Sequence, residues 1–206
     1  VEDARQRFGL RGAGQIIAIT DTGLDTGVLS TLHQDIRGRV ISLTRNEYDP
    51  GNICNYNGID DPYGHGTAVT GTAVGNGLLS GSNLTTHNYT ASYAGSAPES
   101  QLVFQAAGCG PTGGMMPDFP MNLYHQAYIR GARIHSHSYG EVGDGSYGAK
   151  DRDTDRYSFG NKTYLNIYAA GNYNTPGNVS NNAKNAITVG GVIVDQPNTQ
   201  MYARGP

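Results

Sequence analysis

Short apolar runs separated by long polar, glycine-containing stretches set the pattern of this chain. Residues 15–20 form a continuous β-branched run and predict a buried strand. Val40-Ile41-Ser42-Leu43, Leu102 to Ala107, Arg133 to Ser138, Tyr164 to Ala170 and Ala186 to Val192 predict further strands. Residues 65–75 mix Thr, Ala, Val and Gly and predict a buried helix held by packing, because its intrinsic propensity is weak. Met121 to Gly131 predicts a second helix closed by a glycine. Residues 1–14 read as an amphipathic lead-in. Residues 46–63 and 141–156 read as polar loops, and 76–95 as a polar insertion. Strands joined by helices or long crossovers imply an α/β fold: a doubly wound parallel sheet with helices on both faces. In such a sheet, functional residues gather at the carboxyl ends of strands. Asp21, Ser138 and Asn172 all fall where an apolar strand stops.

Composition narrows the function. A chain of 206 residues can enclose one core, and its 30 glycines point to many turns and close backbone contacts. The net charge of -3, without a basic block, argues against a nucleic-acid partner. No apolar run approaches the roughly 20 residues that span a bilayer. The polar start Val1-Glu2-Asp3-Ala4-Arg5 is not a signal peptide, which leaves a mature secreted protein open. Asn83, Asn88, Asn161 and Asn178 each head an Asn-x-Ser/Thr triplet, the acceptor of N-glycosylation in a eukaryotic secretory route. They read as the sites of a secreted or extracellular glycoprotein, free or at the cell surface, or as triplets that arise by chance in an Asn/Thr/Ser-rich chain.

Three motifs carry chemistry. Asp21 ends the first run in Thr20-Asp21-Thr22-Gly23, and His65 opens the small-residue helix in Gly64-His65-Gly66-Thr67. Asn172 follows another strand in Ala169-Ala170-Gly171-Asn172. A serine nucleophile needs a base near neutrality, and that base needs a carboxylate to fix its tautomer. Asp21 and His65 suit those roles, and the Asn172 amide suits a donor to an oxyanion. Each motif also has a plainer reading: a phosphate or metal aspartate, a packed histidine, an asparagine in a turn. A nucleotide-binding reading is poor, because no Gly-x-Gly-x-x-Gly or P-loop follows the first strand. Gly108, Gly110 and Gly113 in the Gly108–Gly114 stretch, and the strand Ile134–Gly140 with Ser138, Tyr139 and Gly140 at its end, read as two edges able to hold an extended peptide. An ordinary surface turn is the alternative for the glycines. Asp25, Asp60 and Asp61 lie in loops but lack calcium-loop spacing, so the metal reading is left unknown.

In this order the motifs resemble the subtilisin-like serine protease family, and within it the oxidant-resistant bacterial alkaline proteases. The resemblance runs from about Phe8 to Pro206 and includes Gly131 to Gly140 and Ala183 to Gly190. It implies a parallel seven-stranded core and serine endopeptidase activity. Asp21 would be the orienting acid, His65 the general base and Asn172 the oxyanion donor. Ser138 and Gly140 would contact substrate through their backbone. It implies no cofactor for the chemistry, with structural calcium possible. It also places Cys54 and Cys109 in loops flanking one end of the cleft, which implies a disulfide.

The departures are Ala68, where a histidine commonly follows the His-Gly-Thr triplet, a longer insertion at 76–95, and the nucleophile. Only Ser180 follows Asn172, and Asn178-Val179-Ser180-Asn181 lacks the family's Gly-Thr-Ser context. The expectation is that residues 1–206 are the N-terminal portion of one catalytic domain, incomplete on its C-terminal side and inactive alone. A companion polypeptide or missing segment would carry the serine, and the substrate would be a polypeptide. The alternative is a non-catalytic structural or binding protein on the same fold.

Overall fold

The computed structural model describes residues 1–46, 54–80, 89, 92–140, 145–172, 179–192 and 201–202. Helix α1 (Glu2–Phe8) leads in, followed by β1 (Ile16–Asp21), β2 (Val40–Arg45) and α2 (His65–Val74). Then come β3 (Gln101–Ala106), α3 (Pro120–Ile129), β4 (Ile134–His137), α4 (Ala149–Gly160), β5 (Leu165–Ala169) and β6 (Ala186–Val189). Strands β1 to β6 form one sheet in the order β2-β3-β1-β4-β5-β6, and every pairing is parallel. The resemblance implied seven strands; among the described residues the main sheet has six. The run to Val192 divides: β6 stops at Val189, and β7 (Gly191–Val192) pairs antiparallel with β8 (Met201–Tyr202).

The chain winds away from β1 on one side through β3 and β2, and on the other through β4, β5 and β6. The strand order therefore reverses at β1, and a crevice opens at the carboxyl ends beside it. Asp21 is the last residue of β1.

Alternation along the strands feeds two cores. On one face Ala18 and Val103 pack with Leu123, Tyr124 and Ala127 of α3 and Tyr157 of α4. On the other, Ile19, Leu102 and Phe104 pack with Val74 of α2 and with Leu24, Leu32 and Ile36. Each large apolar side chain so buried contributes roughly 1.5–3 kcal/mol. Helices thus cover both faces. Helix α2 is packed as expected but buries only one side, through Gly66, Thr70 and Val74; Ala68 and Thr72 are exposed, which corrects the expectation of a buried helix to a half-buried one.

The second correction is α4, which takes up the second half of the expected loop at 141–156 and runs on to Gly160. Its buried stripe is Asp151, Thr154, Tyr157 and Ser158, a helical spacing written in polar residues. Asp151 Oδ2 accepts the Gly148 amide at 2.7 Å and caps the first turn. One turn apart, Asp151 Oδ1 accepts the Asn182 amide (2.7 Å) and Asp155 Oδ1 the Asn185 amide (2.6 Å). The helix so clamps the segment that runs from β5 to β6.

Candidate active site

His65 is the first residue of α2, and its Nδ1 lies 2.7 Å from Asp21 Oδ1. The same oxygen accepts the Thr22 amide at 2.7 Å. Asp21 is completely buried, whereas the His65 side chain is 42% exposed, so the carboxylate lies behind the ring and the ring edge reaches solvent. Asp21 Oδ2 is buried and has no hydrogen-bond partner among the described residues. Burial pushes the Asp21 carboxyl above its ordinary value, against the opposing pull of His65 and the Thr22 amide.

Glycine makes the approach of the two segments possible. A Cβ on Gly66 would lie 2.3 Å from the Gly23 carbonyl oxygen and 3.1 Å from Asp21 Cβ. Gly23 in turn packs on the backbone of Asp60.

Asn172 lies three residues beyond the end of β5, at the same carboxyl edge of the sheet, and is exposed. No hydrogen bond joins it to Asp21 or His65 among the described residues. The structure therefore brings together two of the three expected residues and places the third on the same rim.

The expected peptide edges are only partly available. Residues 134–137 are engaged on both sides, by β1 and β5, so the edge reading of β4 is corrected to its extension, Ser138–Gly140. Tyr139 reaches back into the sheet, its hydroxyl 3.2 Å from His137 Nδ1. Burial keeps that phenol protonated. Gly140 packs on Ser180, where a Cβ would lie 2.4 Å away. Across the crevice Gly108 bridges antiparallel to Met115, and its amide donates to the Thr22 carbonyl at 3.0 Å. Tyr56 packs over Gly110 and Tyr63 over Gly113. Tyr63 also approaches His65, with 6.5 Å between ring centroids.

Cys54 and Cys109 are joined by a disulfide. It ties the loop before His65 to the Gly108–Gly114 stretch. Arg45 reinforces the tie: its guanidinium donates to the carbonyls of Tyr56 (2.8 Å), Gly58 (3.0 Å) and Gly108 (2.7 Å). Ser180 holds the β5 end, its Oγ donating to Ala169 O at 2.5 Å.

Each loop carboxylate accepts from a protein donor. Asp25 Oδ2 accepts the His33 amide, and Asp60 Oδ1 the Tyr56 hydroxyl. Asp61 accepts from Thr22 and Thr67. Among the described residues no cluster of three or more His, Cys, Asp or Glu could hold a metal. Of the glycosylation candidates, Asn161 is at the end of α4 with its Nδ2 donating to Tyr157 O at 3.0 Å; Asn83, Asn88 and Asn178 lie outside the described residues.

The sequence profile of the subtilase family, peptidase family S8, matches residues 12–204. The chain belongs to the subtilase family. Two curated relatives come from Dictyostelium discoideum. The serine protease/ABC transporter B family protein tagB is 29% identical over 197 residues, covering 92% of this chain and 10% of tagB. The serine protease/ABC transporter B family protein tagD is 29% identical over 200 residues, with 92% and 11% covered. Among solved structures, Sphericase superposes with a TM-score of 0.63 at 23% identity, over 95% of this chain and 60% of its own. This subtilase chain thus spans about a tenth of those curated relatives and three-fifths of that solved one. Subtilase homologues are serine proteases, and the parallel six-stranded sheet with helices on both faces is the subtilase architecture. No described helix is long and apolar enough to cross a membrane.

Two groups of site residues escaped the sequence reading. The sequence offers Asp61 as a loop acid and as the start of the segment that resembles the family's histidine motif, with no role of its own, yet its carboxylate fastens the segments that bear Asp21 and His65. The buried polar chain under β4, built on His135 and His137, reads in sequence simply as strand. A signal for Asp61 was available in its spacing, four residues ahead of His65 at the start of a helix.

Proposed function

We propose that this chain supplies the acid–base half of a serine endopeptidase centre. The observation that carries the reading is the 2.7 Å contact of His65 Nδ1 with a fully buried Asp21, beside a ring edge open to solvent. In that arrangement Nδ1 keeps its proton on the Asp21 side, and Nε2 is left as the base. A serine hydroxyl placed at Nε2 gives its proton to the ring as its oxygen attacks a peptide carbonyl. The Asp21 carboxylate stabilises the imidazolium so formed. His65 then returns the proton to the leaving amine. Asn172 donates to the oxyanion, a contact of the kind whose loss costs roughly 3–4 kcal/mol of barrier. The peptide lies between Ser138–Gly140 and the Gly108–Gly113 stretch. No cofactor takes part.

The serine comes from a polypeptide segment outside residues 1–206, either the rest of the same domain or a companion chain. Strand β6 supports this: among the described residues it is an edge strand of the sheet, and Ile187 and Val189 on it are 48% and 53% exposed. An apolar edge of that kind calls for a covering element. Residues 1–206 are then inactive alone. The disulfide favours an oxidising, extracellular setting. Within the family the resemblance that runs from about Phe8 to Pro206 favours the oxidant-resistant bacterial alkaline branch.

Labelling of the native protein with a fluorophosphonate probe tests the reading. Covalent label on a serine outside residues 1–206, lost on His65→Ala, supports it. A native protein that takes no label, while its circular dichroism shows it folded, replaces it with a binding role on the same fold.

A further inference from the structure

We infer that Asp61 is a positioning residue that sets the geometry of the Asp21–His65 pair. The inference rests on the reading of that pair as the acid–base half of a protease centre.

Asp61 stands between the two segments and binds both. Its Oδ1 accepts the Thr22 hydroxyl at 2.7 Å. Its Oδ2 accepts both the Thr67 amide (2.8 Å) and the Thr67 hydroxyl (2.7 Å). Thr22 follows Asp21, and Thr67 is two residues beyond His65. Each threonine passes the connection on to the opposite segment. Thr22 Oγ1 accepts the Gly66 amide at 2.9 Å, and Thr67 Oγ1 accepts the Asp25 amide at 2.8 Å. The Asp61 backbone joins in: its amide donates to Asp25 O at 2.9 Å and its carbonyl accepts from Gly64 at 3.1 Å.

The result is a closed ring of hydrogen bonds around the point where Gly66 touches Gly23. It also satisfies two of the first amide groups of α2, Gly66 and Thr67, which have no partner inside the helix. Charge-assisted bonds to a carboxylate are stronger than neutral ones, so one residue fixes the distance between the β1 end and the α2 start. A carboxylate in this role is distinct from a solvated loop acid, and its oxygens are already committed to the protein.

The test compares Asp61→Ala and Asp61→Asn in the full natural polypeptide that carries this chain. Three readings are taken: kcat and KM on a chromogenic peptide, thermal unfolding, and the downfield proton NMR signal of the His65 Nδ1–H. Asp61→Ala is expected to lower kcat about 10- to 100-fold with KM changed by less than about threefold, because misplacement of a catalytic group acts on the chemical step. The downfield signal should broaden or vanish at temperatures where the protein is folded. Asn keeps the shape and one acceptor, so Asp61→Asn should recover most of kcat and the signal. The inference is overturned if Asp61→Ala lowers only the melting temperature and leaves the His65 signal intact. Because that signal needs no nucleophile, it reports on Asp61 even where the native protein proves to have no peptidase activity.

Discussion

Tyr164 donates its hydroxyl proton to His135 Nδ1 across 2.7 Å, and both groups are buried in the core under β4. The bond begins a one-way chain. His135 Nε2 donates to Thr20 Oγ1 (2.8 Å), Thr20 to Gln105 Oε1 (2.8 Å), and Gln105 Nε2 to Leu123 O (3.1 Å). A parallel chain runs from Tyr139 through His137 to Asn166 Oδ1, and from the Asn166 amide to Ser158. The two imidazoles lie against each other, tilted by 37°, with 4.0 Å between centroids. Nε2 of each ring donates, to Thr20 Oγ1 and Asn166 Oδ1, and burial keeps both rings neutral, which leaves Nδ1 of each as the acceptor.

Acid should therefore destabilise this protein through its core. Burial, with the neighbouring His137 as a lesser cause, holds His135 well below its ordinary value; burial lowers His137 to about 3. The unfolded histidines take up protons near pH 6.5 while the folded ones do not. The unfolded state then binds more protons, and stability falls as pH drops from 6.5 towards 3. The slope approaches 1.4 kcal/mol per pH unit for each histidine. Urea unfolding from pH 7 to 4 measures it. His137→Gln should flatten the slope by about half, and an unchanged slope would assign acid sensitivity elsewhere.

Gly66→Ala should disrupt the site without touching a charged group. Its Cβ would lie 2.3 Å from the Gly23 carbonyl oxygen, a contact with rigid backbone. Relief requires moving β1 away from α2, which costs about 1–3 kcal/mol and separates Asp21 from His65. Differential scanning calorimetry and the probe-labelling rate should both fall. Gly71, with open space around its Cβ position, is the internal control, and Gly71→Ala should leave both nearly unchanged.

These particulars explain what could be read in the sequence. Asp21 and His65 were legible because each is fixed by local chain geometry, one ending an apolar strand and one opening a helix. Strands β1 and β3 were legible because continuous apolar runs have few other fates. Helix α4 was not, because hydrophobic patterning is blind to a buried stripe of Asp151, Thr154, Tyr157 and Ser158. The polar members of that stripe are buried with tertiary partners: Asn182 for Asp151, Tyr124 for Thr154 and Asn166 for Ser158. The role of Asp61 was hidden for the same reason. A carboxylate reads as solvated until the threonines that surround it are known.

Breaking the disulfide should cost more stability than any one of the nearby hydrogen bonds. Cys54 and Cys109 are 55 residues apart in sequence. Loop-closure entropy alone gives roughly 4 kcal/mol for a bridge of that span. Cys54→Ala with Cys109→Ala should shift the urea midpoint accordingly. Arg45 still holds Tyr56, Gly58 and Gly108 in the reduced protein. The cleft should therefore loosen rather than open, and KM should rise more than kcat falls. Equal stability with and without the bridge would show that Arg45 already supplies the whole restraint.

Asp21→Asn should be the most damaging isosteric change for the proposed chemistry. The carboxylate accepts from both His65 Nδ1 and the Thr22 amide at Oδ1, so a single oxygen fixes ring and backbone together. An asparagine can turn its oxygen to the Thr22 amide and leave its NH2 in the place of Oδ2, which costs little stability. It cannot stabilise an imidazolium, and where its NH2 faces Nδ1 instead it forces the proton onto Nε2, the atom that must be the base. By analogy with the same change in other Ser-His-Asp centres, kcat should fall about 10,000-fold. The fold should survive: burying a neutral amide in place of a charge removes the cost that raises the Asp21 pKa. Unfolding free energy should thus hold or increase while labelling by the fluorophosphonate probe collapses. A variant that loses stability and labelling in step would show instead that Asp21 serves the fold first.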